Sequence, residues 1–267
     1  MMSGRKAFIK EFALASAIHL LCLAFSFQAP LLQGRVDSVQ QHAGAVAPQA
    51  MVGMSEMVYE IQPALFVQAR QIKRGIFPSW SPLSQGGTPL IGKMQNAVFS
   101  PLHLLLYVLP LACIPYAFTL IILLNSYLGF AFAYLYARSL RLNWWSGTLA
   151  GTAFVFFSLV GGGLFSWSFS GVYLPLLLLL VELYFSRQRR LAVLFLPWAA
   201  ALPFLGGHFE SAVWGNVVCA AYFLGRLSQQ KNTTREKWNS LAAFAGLLLV
   251  AAAIASIQII PAKEYVD

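Results

Sequence analysis

From residue 114 onward the chain passes from one apolar stretch to the next, with breaks too short to hold a soluble domain. Stretches at about 114–137, 145–162, 170–185, 190–206, 209–226 and 239–260 fit or nearly fit the hydrocarbon core of a bilayer. An earlier run continues from the basic start to about Leu32 and is also close to one span in length. Such a chain has little choice of solvent. Charged residues make up 10% and hydrophobic residues 58%, where a soluble domain carries about 25% charged residues. The expected fold is an all-α, polytopic transmembrane helical bundle of about seven spans. It divides into a first helix over 1–32, an outer loop over 33–112 and a helical bundle over 113–267.

The first run resembles a signal peptide in its basic start and apolar core. Its length and the poor cleavage site around Gln28 favour an uncleaved helix with a cytoplasmic N-terminus. Alternation from that start puts twelve of the eighteen Lys and Arg residues on the cytoplasmic side, among them Arg138, Arg141, Arg187, Arg226 and Lys237. The outer side collects six of the nine acids: Asp37, Glu56, Glu60, Glu210, Glu264 and Asp267. The net charge of +9 therefore reflects membrane topology, and no continuous basic stripe points to nucleic acid. Cys22, Cys113 and Cys219 lie far apart in or beside apolar runs, with no metal-ligand spacing. Gly161–Gly163 lack the Lys-Ser/Thr that a phosphate loop needs.

The longest stretch that cannot be a span is 55–103, and it holds the chain's chemistry. Apolar residues Val58, Ile61, Leu65, Ala69 and Ile72 recur at three- and four-residue steps, so 57–73 is expected to be an amphipathic helix. Pro63 sits near its start, and Arg74-Gly75 ends it. Pro- and Gly-rich turns follow at 77–82 and 85–89. The segment 99–111 is apolar but short and broken by Pro101 and Pro110, as in an interfacial or re-entrant helix.

Seven-span topology brings this loop to the same side as 206–210 and the region around Gln258. Glu56 and Glu60, one helical turn apart, fit a general base for an acceptor hydroxyl or a solvated helix face. Arg70, Lys73, Arg74 and Lys93 fit phosphate holders or headgroup contacts. Gln95, His208 and Glu210 fit a polar pocket; His208 equally fits an interfacial histidine, and Glu210 is an acid that must be solvated or paired. Glu182 falls near the cytoplasmic end, where Arg187 or Arg189 is the expected partner.

Several blocks in order resemble the bacterial YfhO-type membrane proteins, relatives of the GT-C glycosyltransferases. They are Gly75-Ile-Phe-Pro78-Ser-Trp80-Ser-Pro82, Gly87-Thr-Pro89-Leu90, and Gln95-Asn-Ala97-Val98-Phe99-Ser-Pro101-Leu102, followed by Gly207-His208 and Gln258-Ile-Ile-Pro261. Glu56 stands where the family usually has Asp, and Ser81 where it has Asn. Members of that family are longer, which implies that this chain corresponds to an N-terminal part. The resemblance implies a GT-C-like fold in the bacterial cytoplasmic membrane. It also implies transfer of a sugar from a polyprenyl-phosphate donor to a cell-envelope glycan acceptor on the outer face. The first-loop acid would serve as base or as partner of a divalent metal. A non-catalytic transporter, flippase or assembly subunit for lipid-linked saccharides is the rival reading. Transporters tend to place polar residues and broken helices at the bilayer midplane, whereas here they gather at the outer edge.

Overall fold

Each long apolar stretch satisfies its own backbone by coiling, and then needs neighbours only for its side chains. The computed structural model describes residues 2–26, 60–83, 86–161 and 170–266. Its helices are α1 (Met2–Ser26), α2 (Gln62–Lys73), α3 (Leu104–Val108), α4 (Ile114–Ser139), α5 (Trp144–Gly161), α6 (Leu174–Tyr184), α7 (Arg189–Leu205), α8 (Phe209–Ser228) and α9 (Thr234–Val266). The sheet among the described residues is two short antiparallel strands, β1 (Trp80–Ser81) and β2 (Thr88–Pro89), with Trp80 opposite Pro89. The chain is all-α in character.

Among the described residues three helices are long and apolar enough to cross a membrane: α1 over Lys6–Ala24, α4 over Leu120–Ser139, and α9. Helix α6 is apolar but has 11 residues, about 16 Å of rise, and is shorter than the span expected over 170–185. It starts late because Pro175 occupies its first turn, where a proline lacks no needed donor. Helix α9 runs the other way, longer than the expected 239–260. Thr233 and Glu236 close a capping box at its start: the Thr233 Oγ1 accepts from the Glu236 amide, and the Glu236 carboxylate accepts from the Thr233 amide. The polar residues 234–237 therefore belong to the helix.

Two apolar clusters hold the bundle. One gathers Leu23 of α1, Leu65 of α2, Leu106 of α3, Ile121 and Phe130 of α4 and Val155 of α5. The other joins Leu177 and Val181 of α6, Leu196 of α7, Phe223 of α8 and Phe244 of α9. Helices α4 and α5 form a hairpin whose turn places Arg141 in the left-handed region (φ 64°). There Leu142 N reaches back to the Ala137 carbonyl at 3.2 Å, the bond that closes a Schellman turn. Asn143 then caps α5 by accepting from Ser146 N at 2.8 Å. The hairpin closes tightly because Gly147 and Gly151 face α4. A Cβ on Gly151 would stand 2.7 Å from the Phe130 ring and 2.8 Å from its carbonyl oxygen. Small residues four apart let two backbones approach in this way.

Helix α1 lies against α4 through matched polar and aromatic contacts. The Ser16 and Tyr127 hydroxyls meet at 3.1 Å. The fully buried His19 ring stacks on Phe130 with centroids 4.3 Å apart. Arg138 Nη2 donates to Glu11 at 2.8 Å.

The two ends of the bundle differ in charge. At one end Arg141, Glu182, Arg187 and Arg226 line a common cavity of about 730 Å³. Glu182 pairs there with Arg226, whose Nε lies 2.7 Å from the carboxylate, and accepts from the Tyr222 hydroxyl. This corrects the expected pairing with Arg187 or Arg189, which follow Glu182 in sequence. The hairpin turn at 185–188 carries those arginines outward, while α8 presents Arg226 across the packed face. Residues 60–83 and 86–113 lie at the other end, where 91–94 meet Gly207 and Gln258.

Candidate functional site at the loop end

Helix α2 anchors the loop. Ile61, Leu65 and Ala69 are buried and Ile72 is half-buried, as the spacing requires; Val58 lies outside the described residues. The described helix runs Gln62–Lys73 with Pro63 in its first turn, and 57–59 of the expected helix lie outside the described residues. It stops at Arg74 and Gly75, whose amides turn back to Gln71 and Ile72. Beyond it Gln71 Nε2 donates to the Trp80 carbonyl at 2.8 Å. The expected turns hold the two-residue strands, and Trp80 lies over Gly87 so closely that a Cβ there would stand 2.5 Å from the indole.

The expected helix over 99–111 is broken up. A 3-10 turn at Pro101–His103 leads into α3, and a second turn covers Leu111–Cys113. Pro101 opens the first turn, and Pro110, which lacks a backbone donor, holds the preceding Leu109 extended (ψ 152°) so that α3 stops there. Lys73 serves this break, donating to the Tyr107 and Val108 carbonyls at 3.1 and 3.4 Å. Those carbonyls lie past the reach of the short helix's own amides.

At the centre of the loop is the segment 90–97. Asn96 Nδ2 donates to the Leu90 carbonyl at 2.9 Å, and Gln68 Nε2 donates to the Asn96 carbonyl at 3.2 Å. The Tyr107 hydroxyl lies 2.9 Å from Gln68 Oε1 and 3.0 Å from the Val98 carbonyl, tying α2, α3 and the loop together. Ala97 holds a left-handed conformation (φ 45°). His103 is buried against this knot. Burial pushes its imidazole down to about 4 from the usual 6.5, against a hydrogen bond with the Ala97 backbone that opposes the shift.

The later chain returns to the same segment. Gly207, between α7 and α8, has φ 100° and lies so close that an added Cβ would be 3.0 Å from the Met94 carbonyl oxygen. Gln258 of α9 donates from Nε2 to the Ile91 carbonyl at 2.8 Å. Thus 206–208 and 258 meet the loop.

The individual site residues divide. Glu60 forms an ion pair with Lys93, with 43% and 29% of the respective side chains exposed. Gln95 is half-buried beside Gly207. Arg70 on the last turn of α2 and Arg74 just past its end are exposed and form no ion pair among the described residues. They stand beyond Phe66 on the same helix, and Ile76, Phe77 and Trp80 are exposed nearby in sequence. Lys73 is committed to α3. His208 caps α8: its Nδ1 accepts from Ser211 N at 3.2 Å, and its own amide donates to Ser170 Oγ at 3.1 Å. Glu210 is exposed in the first turn of α8, where a negative charge suits the helix start. Glu56 lies outside the described residues.

Sequence reading missed the Gln68–Asn96–Tyr107 knot. Its residues carry no charge, Asn96 alone falls in one of the quoted blocks, and only the fold brings 68, 96 and 107 together. Among the described residues no group of three His, Cys, Asp or Glu side chains could hold a metal ion. The chain matches no protein-family profile, no curated protein and no solved structure.

Proposed function

We propose that the protein is a membrane glycosyltransferase of GT-C type, similar to the YfhO-type proteins, acting at the loop end of a seven-span bundle. The loop end would face outward from the bacterial cytoplasmic membrane, with the N-terminus inside. The donor is a sugar on a polyprenyl phosphate, and the acceptor is a hydroxyl of a cell-envelope glycan. One observation carries the reading: a carboxylate–ammonium pair, Glu60–Lys93, sits on the loop that covers the helix ends. The blocks that carry the resemblance supply several of its close contacts, from Trp80 and Gly87 to Asn96, Gly207 and Gln258.

The chemistry follows from that pair. A donor phosphate would compete with Glu60 for Lys93, because an ammonium binds either anion as a point charge. Once released, the Glu60 carboxylate takes the acceptor hydroxyl proton as the acceptor oxygen bonds to the anomeric carbon. The anomeric carbon–oxygen bond breaks, and polyprenyl phosphate leaves with the bonding pair. Arg70 and Arg74 follow Glu60 by ten and fourteen residues, about 15–20 Å along a helix. They are therefore placed for lipid headgroups rather than for the reacting phosphate, and the exposed aromatic residues beside them suit an interface.

The test is transfer of radiolabelled sugar from polyprenyl-phosphate donors in membranes, comparing wild type with Glu60→Gln and Glu56→Gln at matched expression. Transfer abolished by Glu60→Gln supports the assignment. Loss in Glu56→Gln alone would move the base from Glu60 to Glu56. No transfer from any donor, with donor binding intact, would favour a carrier of lipid-linked saccharides.

A further inference from the structure

At the end of the bundle remote from the loop, three arginines open onto an apolar groove. Arg187, Arg189 and Arg190 stand at the mouth of a cavity of about 900 Å³ between α7 and α9. Its walls include Leu194 and Trp198 of α7 and Val250 and Ile254 of α9. Leu194, Trp198 and Val250 are 59%, 57% and 50% exposed. Helix α9 is long and apolar enough to span a membrane, and in a membrane these exposed side chains would meet hydrocarbon. Trp198 lies eight residues beyond Arg190, about 12 Å along the helix, so the groove runs from a charged rim well into the apolar zone.

The rim carries uncompensated positive charge. Arg189 is held locally by the Tyr184 hydroxyl and ring. Arg187 and Arg190 are exposed and have no acidic partner among the described residues. The first turn of α7 contains no acid, although the start of a helix is itself electropositive. Glu182, in the adjoining cavity, is taken by Arg226 and Tyr222. Like charges gathered at a helix start with no counter-charge are stabilised by an external anion.

We propose that this groove holds an anionic glycerophospholipid, one acyl chain against Leu194, Trp198 and Val250 and the headgroup phosphate on Arg187 and Arg190. Guanidinium forks match phosphate oxygens, and basic pockets between transmembrane helices recruit anionic headgroups. A free phosphate would leave the apolar walls empty. A zwitterionic lipid would bring a cationic group to an arginine rim. The site is independent of the transferase reading and requires only that the bundle sit in a membrane.

The test uses the full chain in detergent, with phosphatidylglycerol and phosphatidylcholine added at equal concentration and adducts read by native mass spectrometry. Phosphatidylglycerol should be retained roughly tenfold better. Arg187→Gln with Arg190→Gln should bring the two lipids to parity. Val250→Trp, which fills the groove and keeps every charge, should also lose the preference and covers the case in which the arginine variant fails to fold. Lys231→Gln with Arg235→Gln should keep it. Four results would overturn the proposal: equal retention of both lipids by wild type, a preference that survives both groove variants, displacement of the lipid by millimolar inorganic phosphate, or a doubled mass without lipid, which would assign the groove to a second copy of the chain.

Discussion

Gln258 Nε2 donates to the Ile91 carbonyl at 2.8 Å, joining the last helix to the first loop across 167 residues of sequence. Gln258 is fully buried, and its removal leaves the half-buried Ile91 carbonyl without this donor. Gln258→Leu should destabilise the protein by about 1–3 kcal/mol. It should also loosen the loop: limited proteolysis in membranes should cut between residues 74 and 97 faster than in wild type. Unchanged cleavage would mean that the loop is held by its own contacts.

Gly151 and two other helix glycines give opposite expectations for the same change. Alanine favours a helix over glycine by about 1 kcal/mol, and nothing lies within 4 Å of a Cβ on Gly225 or Gly246. Gly225→Ala and Gly246→Ala should be neutral or mildly stabilising in thermal unfolding in detergent. Gly151→Ala meets the Phe130 ring and carbonyl and should cost about 1–3 kcal/mol net.

His103 supplies a pH dependence whose sign can be worked out. Its imidazole titrates at about 4 in the folded protein and at 6.5 as a model group. Above pH 6.5 both states are neutral there, and it contributes nothing. Between 6.5 and 4 the unfolded chain binds a proton that the folded one refuses, so stability falls as pH falls, by up to about 3 kcal/mol. Below 4 both states are protonated and the loss levels off. Melting temperatures from pH 7 to 4 should drop less steeply in His103→Gln than in wild type; parallel slopes would remove His103 from the explanation.

Glu182 and Arg226 should behave as a unit. The Glu182 side chain is 11% exposed and that of Arg226 31%, so removing the arginine strands a largely buried carboxylate. Arg226→Met should cost about 2–3 kcal/mol, less than for a fully buried pair because part of the guanidinium is already in solvent. Glu182→Met together with Arg226→Met should recover most of that loss. Additive losses in the double variant would show that the pair is not coupled.

The helices were readable because each follows from a local pattern. The run over 114–137 is apolar whatever surrounds it, and α4 forms there. The steps from Ile61 to Ile72 mark a face, and Arg74-Gly75 marks an end. Helix α9 extends past its apolar run because its capping box at Thr233 and Glu236 lies in a polar stretch that hydropathy alone excludes. The fragmentation of 99–111 was half legible: Pro101 and Pro110 announce breaks, but not that Lys73 would bind the freed carbonyls.

Within the candidate site the sequence supplied residue types and the tertiary structure supplied partners. Glu60 and Lys93 stood out separately as an acid and a base, and their contact depends on how the loop folds over α2. His208 stood out as a polar residue at a helix edge, and the bond from Ser211 makes it a cap.

The sequence by itself determined that this chain forms apolar helices and that the bases cluster at their breaks. Hydrophobicity and helical periodicity act over neighbouring residues and need no distant information. Only the tertiary structure decided that Glu182 faces Arg226, that Gly207 and Gln258 close on 91–94, and that three arginines open onto the α7–α9 groove. Those juxtapositions depend on how helices rotate and cross, which packing across the whole bundle sets.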